Sequence, residues 1–274
     1  MNTQRAVENM DIHLTDLSWP EIAKIQQKPH LIILPIGSTE QHGPHLPVNV
    51  NSCLATYLAE QAARKINAGK KISVLVAPTI HYTEVETFRE FPGTIGISLD
   101  TEIRLIQDVV HSFITNGFNN ILVLNGHASN TIPINTALRQ VNIEFPDAGL
   151  YAINWWALGN LPKLLKSPPS LHAEEMETSL CLVVEPDKVD LSKAAAEYPK
   201  LSLSEKWATP DFYGLSKTVF YHSRKKYPRF GKSKGIMKDA TVASKENGGK
   251  IAKAVIVDLV EIIAEIVASE EEKR

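Results

Sequence analysis

Cysteine is scarce in this 274-residue chain: Cys53 and Cys181 are the only two, each inside an apolar, helix-like segment. Two isolated thiols frame no disulfide scaffold and suit a reducing compartment, so the expected location is the cytoplasm. A basic excess is missing too. The 29 Lys and Arg against 31 Asp and Glu leave a formal net charge of −2. The Lys/Arg run at 224–234 is too local to grip a phosphate backbone, which argues against nucleic acid as a partner. No apolar run approaches the roughly 18–20 residues a membrane helix needs, and residues 1–20 lack the basic start and apolar core of a secretory signal, so no membrane partner is expected.

The chain does have enough apolar residues, 43% of the total, to bury a full core. Short apolar runs alternate with longer amphipathic ones: Leu31–Pro35, Cys53–Ile66, Ile72–Ala77, Glu102–Thr115, Ile121–Leu124, Ile132–Phe145 and Leu150–Asn154. Strands alternating with helices predict a layered α/β fold. Runs that are apolar throughout, joined by helix-length connections, predict a mostly parallel central sheet covered on both faces. Further helices are expected over 175–184 and Gly249–Ala268, with irregular chain over 186–245.

Chemistry concentrates where apolar runs end. Residues 35–47 read Pro-Ile-Gly-Ser-Thr-Glu-Gln-His-Gly-Pro-His-Leu-Pro, so Glu40 and His42 directly follow a strand and the Gly43-Pro44 turn returns His45 toward them. An isolated Glu-x-His is more often a polar turn. Here Asn125-Gly126-His127 follows the next strand-like run, and ligands in parallel sheets gather outside the carboxyl ends of strands. His172 opens a helix whose Glu174 and Glu175 suit the positive end of the helix dipole, while Glu177 lies about one turn beyond His172. Carboxylate and imidazole donors suit zinc, manganese or iron, and residue type alone does not separate these. His45 either contacts substrate or closes its turn. Trp155 and Trp156 follow a strand, where an indole could stack on a flat substrate ring or belong to the core or a subunit interface. His81, Glu84, Glu86 and Arg89 lie in a long segment able to cover a site, whereas His13, His30, His111 and His222 have no partner pattern and read as surface residues.

Four ordered motifs, Ser38-Thr-Glu-Gln-His-Gly-Pro-His-Leu-Pro47, Phe91-Pro-Gly-Thr94, Asn125-Gly-His127 with Asn130, and His172-Ala-x-Glu-x-Glu-Thr-Ser179, resemble the creatininase family of metal-dependent amidohydrolases. The resemblance implies a three-layer α/β/α sandwich, here one domain over 1–274 with loose ends at 1–10 and 269–274. It also implies a homo-oligomer, commonly a hexamer. One or two divalent ions per subunit, zinc or manganese with iron as an alternative, would serve hydrolysis of a small cyclic or linear amide. Position by position, Glu40 and His42 match ligands of two different metals and His127 matches another ligand. His172 matches the proton-transferring histidine, with Glu177 as its acidic partner and a further ligand candidate, and Asn130 is a candidate substrate contact. The family also holds hydrolases of inositol-derived diketones that cleave a carbon–carbon bond.

The departures are informative. Asn51 stands where the family usually carries a metal-bridging aspartate, and a neutral amide offers one carbonyl oxygen in place of two anionic ones. Creatininase itself has a glutamate where this chain has Ser129, which argues against creatinine as substrate. Lys238-Asp-Ala240 replaces a usual Gly-Asp-Pro. A mononuclear hydrolase is the first expectation, followed by a dinuclear enzyme with a weakened second site and by a non-catalytic binding or scaffold protein.

Overall fold

The four short apolar runs become one sheet. In the computed structural model, which describes residues 12–69, 71–167, 172–198 and 233–271, strands β1 (His30–Ile36), β2 (Ser73–Val76), β3 (Asn120–Asn125) and β4 (Gly149–Asn154) lie in the order β2-β1-β3-β4. Every pairing in that sheet is parallel. The helices between and after them are α1 (Trp19–Ile25), α2 (Val50–Asn67), α3 (Leu99–Thr115), α4 (Thr131–Glu144), α5 (Glu175–Val184) and α6 (Lys245–Glu271).

Alternation along the strands divides the core into two layers. Leu31, Ile33, Val74, Val76, Leu122 and Leu124 point to one face, where they pack against α2, α5 and α6 through Leu54, Leu58, Leu180, Val255 and Leu259. Ile32, Leu34, Ile36, Leu75, Ile121 and Val123 point to the other, against α3 and α4 through Ile106, Val110, Ile134 and Leu138. The result is helices on both sides of a parallel sheet, as the uniformly apolar runs predict. Each fully buried Leu or Ile contributes about 1.5–3 kcal/mol of transfer free energy, so the sheet interior is the main source of stability.

Local chemistry sets the element ends. Ser18 and Glu21 form a capping box at the start of α1, Ser98 caps α3 by accepting from Thr101 N, and Glu174 caps α5 by accepting from Met176 N at 2.9 Å. The last helix begins at Lys245, earlier than its apolar pattern shows, because Gly248 sits inside it for packing: a Cβ there would lie 1.9 Å from Ser179 O of α5. The stretch expected to be irregular holds short 3-10 turns and an antiparallel pair, β5 (Ala196–Glu197) with β6 (Lys238–Asp239). Lys238 there has φ 110°, a value at home for glycine, so a lysine strains the backbone. The basic run at 224–234 lies almost entirely outside the described residues, as do His222 and the chain ends 1–10 and 272–274.

Register delivers the site. Ile36 is opposite Asn125, and Asn125 is opposite Asn154, so β1, β3 and β4 end together at one edge. The chain leaving β3 then passes under α2: a Cβ on Gly126 would lie 2.4 Å from Asn51 O. Gly126→Ala is expected to destabilise the protein by about 1–3 kcal/mol, the usual cost of overpacking, and a denaturant melt checks this. Wild-type stability in the variant would show that the approach of α2 to β3 is looser than described.

Candidate metal centre

Beyond β1 the chain turns irregular and is fastened from two sides. Thr83 Oγ1 donates to the Gly37 carbonyl at 2.9 Å, Ile95 N to Thr39 O at 2.9 Å, and Gln41 N to Thr94 Oγ1 at 3.0 Å. Asn130 Nδ2 donates to the same Gly37 carbonyl at 2.8 Å. A candidate substrate contact by sequence, Asn130 thus ties the exits of β1 and β3. Held in this way, Glu40, His42 and His45 are all buried.

Glu40 is the meeting point. Its Oε1 lies 3.0 Å from His127 Nδ1, 3.9 Å from His172 Nδ1 and 4.0 Å from His42 Nε2. Donor atoms of Glu40, His42 and His172 all fall within 4.8 Å of one another, a grouping able to hold a metal ion. Glu177 adds Oε1 at 3.7 Å from His42 Nε2, while its Oε2 accepts the Ala173 N–H at 2.6 Å. Four side chains drawn from positions 40, 42, 127 and 177 therefore surround one buried region, and His172 joins them.

Carbonyl partners fix two tautomers, because a carbonyl can only accept. His42 Nδ1 is 3.1 Å from Glu40 O and His172 Nε2 is 2.9 Å from Gln41 O, so each of these nitrogens carries a proton. The opposite nitrogens, His42 Nε2 and His172 Nδ1, face the cluster. Sequence reasoning paired Glu177 with His172; the structure turns Glu177 to His42 instead. Phe88 stacks on the His172 ring at 4.1 Å, and the Gln41 amide nitrogen lies 3.1 Å from His172 Nε2. Phe88 lies outside every motif, and Gln41, although inside the first one, carried no signal of this contact. The segment 81–98 does cover the site, through Phe88.

Asn51 enters from the first turn of α2. Its Nδ2 lies 2.9 Å from Glu40 Oε1, 2.9 Å from Ser38 Oγ and 3.0 Å from His127 Nδ1, and its Oδ1 lies 3.2 Å from His42 Nε2. Rotating the amide would set its oxygen against a carboxylate oxygen, so the orientation with nitrogen toward Glu40 is favoured. Asn51 thus presents an amide donor to the Glu40 carboxylate.

Charge follows from these contacts. Burial opposes ionisation of Glu40, but His127, His172 and His42 outweigh it and hold the carboxyl down at about 2. Burial likewise opposes charge on His42, yet Glu177 and Glu40 hold it up at about 9. Burial and the neighbouring His42 push His172 down to about 4, leaving a neutral base. Burial and His42 also bring His45 down to about 4; its Nε2 meets Thr178 Oγ1 at 2.9 Å, and among the described residues its Nδ1 has no partner.

The donor set fits a divalent cation. Glu40 is anionic with 0% exposure, and its Oε2 has no hydrogen-bond partner among the described residues. A buried carboxylate with one oxygen facing imidazole nitrogens and the other without a partner among the described residues is the environment that zinc and manganese complete. Trp155 and Trp156, candidate substrate contacts by sequence, are buried in the apolar layer shared with α2 and α6, their rings edge to face at 6.2 Å. His13 and His111 pair with Glu60 and Glu144 at 3.5 Å each, and His30 meets Lys28 O at 2.8 Å, all away from the cluster.

The family model described as "Creatininase: Creatinine amidohydrolase" matches residues 15–263. The chain belongs to the creatininase family. Its class is accordingly that of a metal-dependent hydrolase. It is 27% identical to the creatinine amidohydrolase of Pseudomonas putida over 207 residues, 69% of this chain and 77% of that one. It is 29% identical to the 3-dehydro-scyllo-inosose hydrolase of Thermotoga maritima over 202 residues, covering 71% of this chain but only 63% of that protein. Among solved structures, a manganese form of creatininase superposes with TM-score 0.75 at 24% identity, covering 93% of this chain and 98% of the other; at that identity the likeness shows the fold.

Because His42 is held at about 9, it is protonated at neutral pH in the metal-free protein. A cation that binds its Nε2 must displace that proton, so adding zinc or manganese at pH 7 is expected to release about one proton or more per bound ion. Calorimetry in two buffers of different ionisation enthalpy measures the release; binding without it would remove His42 from the ligand set.

Proposed function

We propose that this chain hydrolyses the carbon–nitrogen bond of a small cyclic or linear amide other than creatinine, using a divalent ion, zinc or manganese, held in the Glu40 cluster. The observation that carries this reading is the buried gathering of Glu40, His42 and His172 donor atoms, with Glu40 Oε2 unpartnered. Glu40 and His42 would hold the ion, with His127 and Glu177 as further ligand candidates. Such an ion lowers the pKa of a bound water toward neutrality and polarises a carbonyl.

The side chains supply the rest. His172 offers an unprotonated Nδ1 toward the cluster, while Gln41 O anchors its other nitrogen and Phe88 fixes the ring plane. A neutral imidazole so placed can take a proton from the attacking water and return it to the leaving nitrogen. Glu177, pinned by the Ala173 N–H, keeps its other oxygen on His42 and so stabilises that imidazole's orientation. Asn51, a hydrogen-bond donor to Glu40, occupies the place from which an aspartate would bridge two ions. We therefore read the site as mononuclear.

Supporting the wider reading, no helix among the described residues is long and apolar enough to cross a membrane. A cytoplasmic homo-oligomer, a hexamer by family likeness, is the proposed state, and light scattering on the purified protein tests it. Ile132 and Ile143 on α4 are 62% and 78% exposed, apolar surface suited to contact between copies.

Protein purified without chelator or affinity nickel should carry about one zinc or manganese per chain and hydrolyse a member of a lactam and formamide panel, with activity lost on chelation and restored by the metal. Cleavage confined to ring diketones would support the carbon–carbon alternative. A fully metallated protein inert on every compound would support a scaffold. Asn51→Asp should raise the metal content toward two ions per chain, because the carboxylate replaces a donor with a bridging anion. Unchanged stoichiometry by elemental analysis would count against the role given to Asn51.

A further inference from the structure

Glu102 lies in the first turn of α3, outside every motif, where an acidic residue is explained by the helix dipole alone. Its setting is not that of a solvated cap. The residue has 0% exposure. One carboxyl oxygen, Oε2, accepts the Glu84 N–H at 2.8 Å, and the other, Oε1, is buried with no partner among the described residues. His127 shows the complementary gap. Its Nδ1 faces Glu40 and Asn51, while its Nε2 is buried and equally without a partner. Thr83, next to Glu84, and Asn130, whose backbone N–H donates to the His127 carbonyl at 3.1 Å, both donate through their side chains to the Gly37 carbonyl, so the unmatched acceptor and the unmatched ring nitrogen belong to one buried neighbourhood.

Buried polar atoms are rarely left unpaired, and two that cannot meet directly are commonly joined by an internal water. A histidine whose one nitrogen faces a cation almost always donates its other N–H to a carboxylate, carbonyl or water, which fixes both the tautomer and the ring plane. We propose that Glu102 is the positioning carboxylate of His127: through one bridging water its Oε1 accepts the His127 Nε2–H, keeping Nδ1 free of a proton and aimed at the Glu40 cluster when an ion binds. The competing explanation is that Glu102 merely holds the segment 81–98 through the Glu84 N–H. The metal side of the inference rests on the proposed function above, whereas the hydrogen bond itself does not.

The two roles separate in Glu102→Gln. Glutamine keeps the volume and an acceptor for the Glu84 N–H, but it turns an amide donor toward His127, which favours protonation on Nδ1, the nitrogen facing Glu40. Two readouts decide. In metal-free wild-type protein, proton–nitrogen NMR of the histidine rings, assigned by comparison with His127→Gln, should show a His127 Nε2–H that is shifted downfield and slow to exchange. In E102Q that signal should move upfield and exchange faster, while the melting temperature of the metal-free protein stays close to wild type. Chelator competition with zinc and with manganese should then show affinity about 10–100-fold weaker than wild type, the range seen when such outer partners are removed.

Absence of a protected Nε2–H in the wild type overturns the proposal, and this result needs no variant to fold. An E102Q protein with an unchanged ring signal and zinc affinity within about twofold of wild type also overturns it, whatever its melting temperature, because a loop-holding role alone predicts that outcome. A wild type that binds neither zinc nor manganese refutes the metal reading of the cluster and leaves the ring signals to decide the place of Glu102.

Discussion

A carboxylate stripped of water governs this molecule. Glu40 has no exposed surface, and an ionised group in such a place is tolerable only when opposite charge and donors surround it. The chain meets that demand with imidazoles from three separate stretches and one amide, all directed to the same oxygen. Its second oxygen has no hydrogen-bond partner among the described residues. A cation drawn to this carboxylate and to the facing nitrogen of His42 balances the buried charge, which is why the arrangement reads as a metal centre more naturally than as an internal ion-pair network.

The rest of the fold is the means of delivery. Parallel register ends β1, β3 and β4 at one edge, so the loops carrying Glu40 and His127 leave the sheet side by side. Gly126 lets the first turn of α2 descend onto that edge with Asn51, and Gly248 lets α6 lie against α5, the helix that carries Glu177. The segment 81–98 closes the other side with Phe88 over His172 and hydrogen bonds to Gly37 and Thr39. Stability and chemistry are coupled here, because the same ties that bury Glu40 deprive it of solvent and sharpen every electrostatic contact it makes.

Much of this was legible in the sequence, for identifiable reasons. Strands apolar on both faces, such as Leu31–Pro35 and Ile121–Leu124, announce a covered parallel sheet, and their boundaries moved by only a residue or two. Glu40, His42 and His127 were visible because each follows such a run directly. Other parts depend on contacts that no local pattern carries. Gln41 and Phe88 matter through what they touch, the His172 ring, across 131 positions in the case of Gln41. Glu102 looks like an ordinary first-turn acid until its burial is seen. Glu174 and Glu175 also read as dipole partners; the former is indeed a cap, and the latter clamps Lys166 N, Ser167 N and Asn247. Trp155 and Trp156 are buried in the apolar layer, a placement that their position after a strand does not reveal, since an indole there serves a core as readily as a substrate.

The most direct measurement is anomalous X-ray diffraction at the zinc and manganese edges on crystals of protein loaded with each ion. A metal centre organised by Glu40 predicts one strong peak beside the carboxylate of Glu40 and Nε2 of His42, with His172 Nδ1 outside the ligand set and Asn51 in the shell at most through its oxygen. A fully loaded crystal with no peak there, or with the ion at the protein surface, would contradict it.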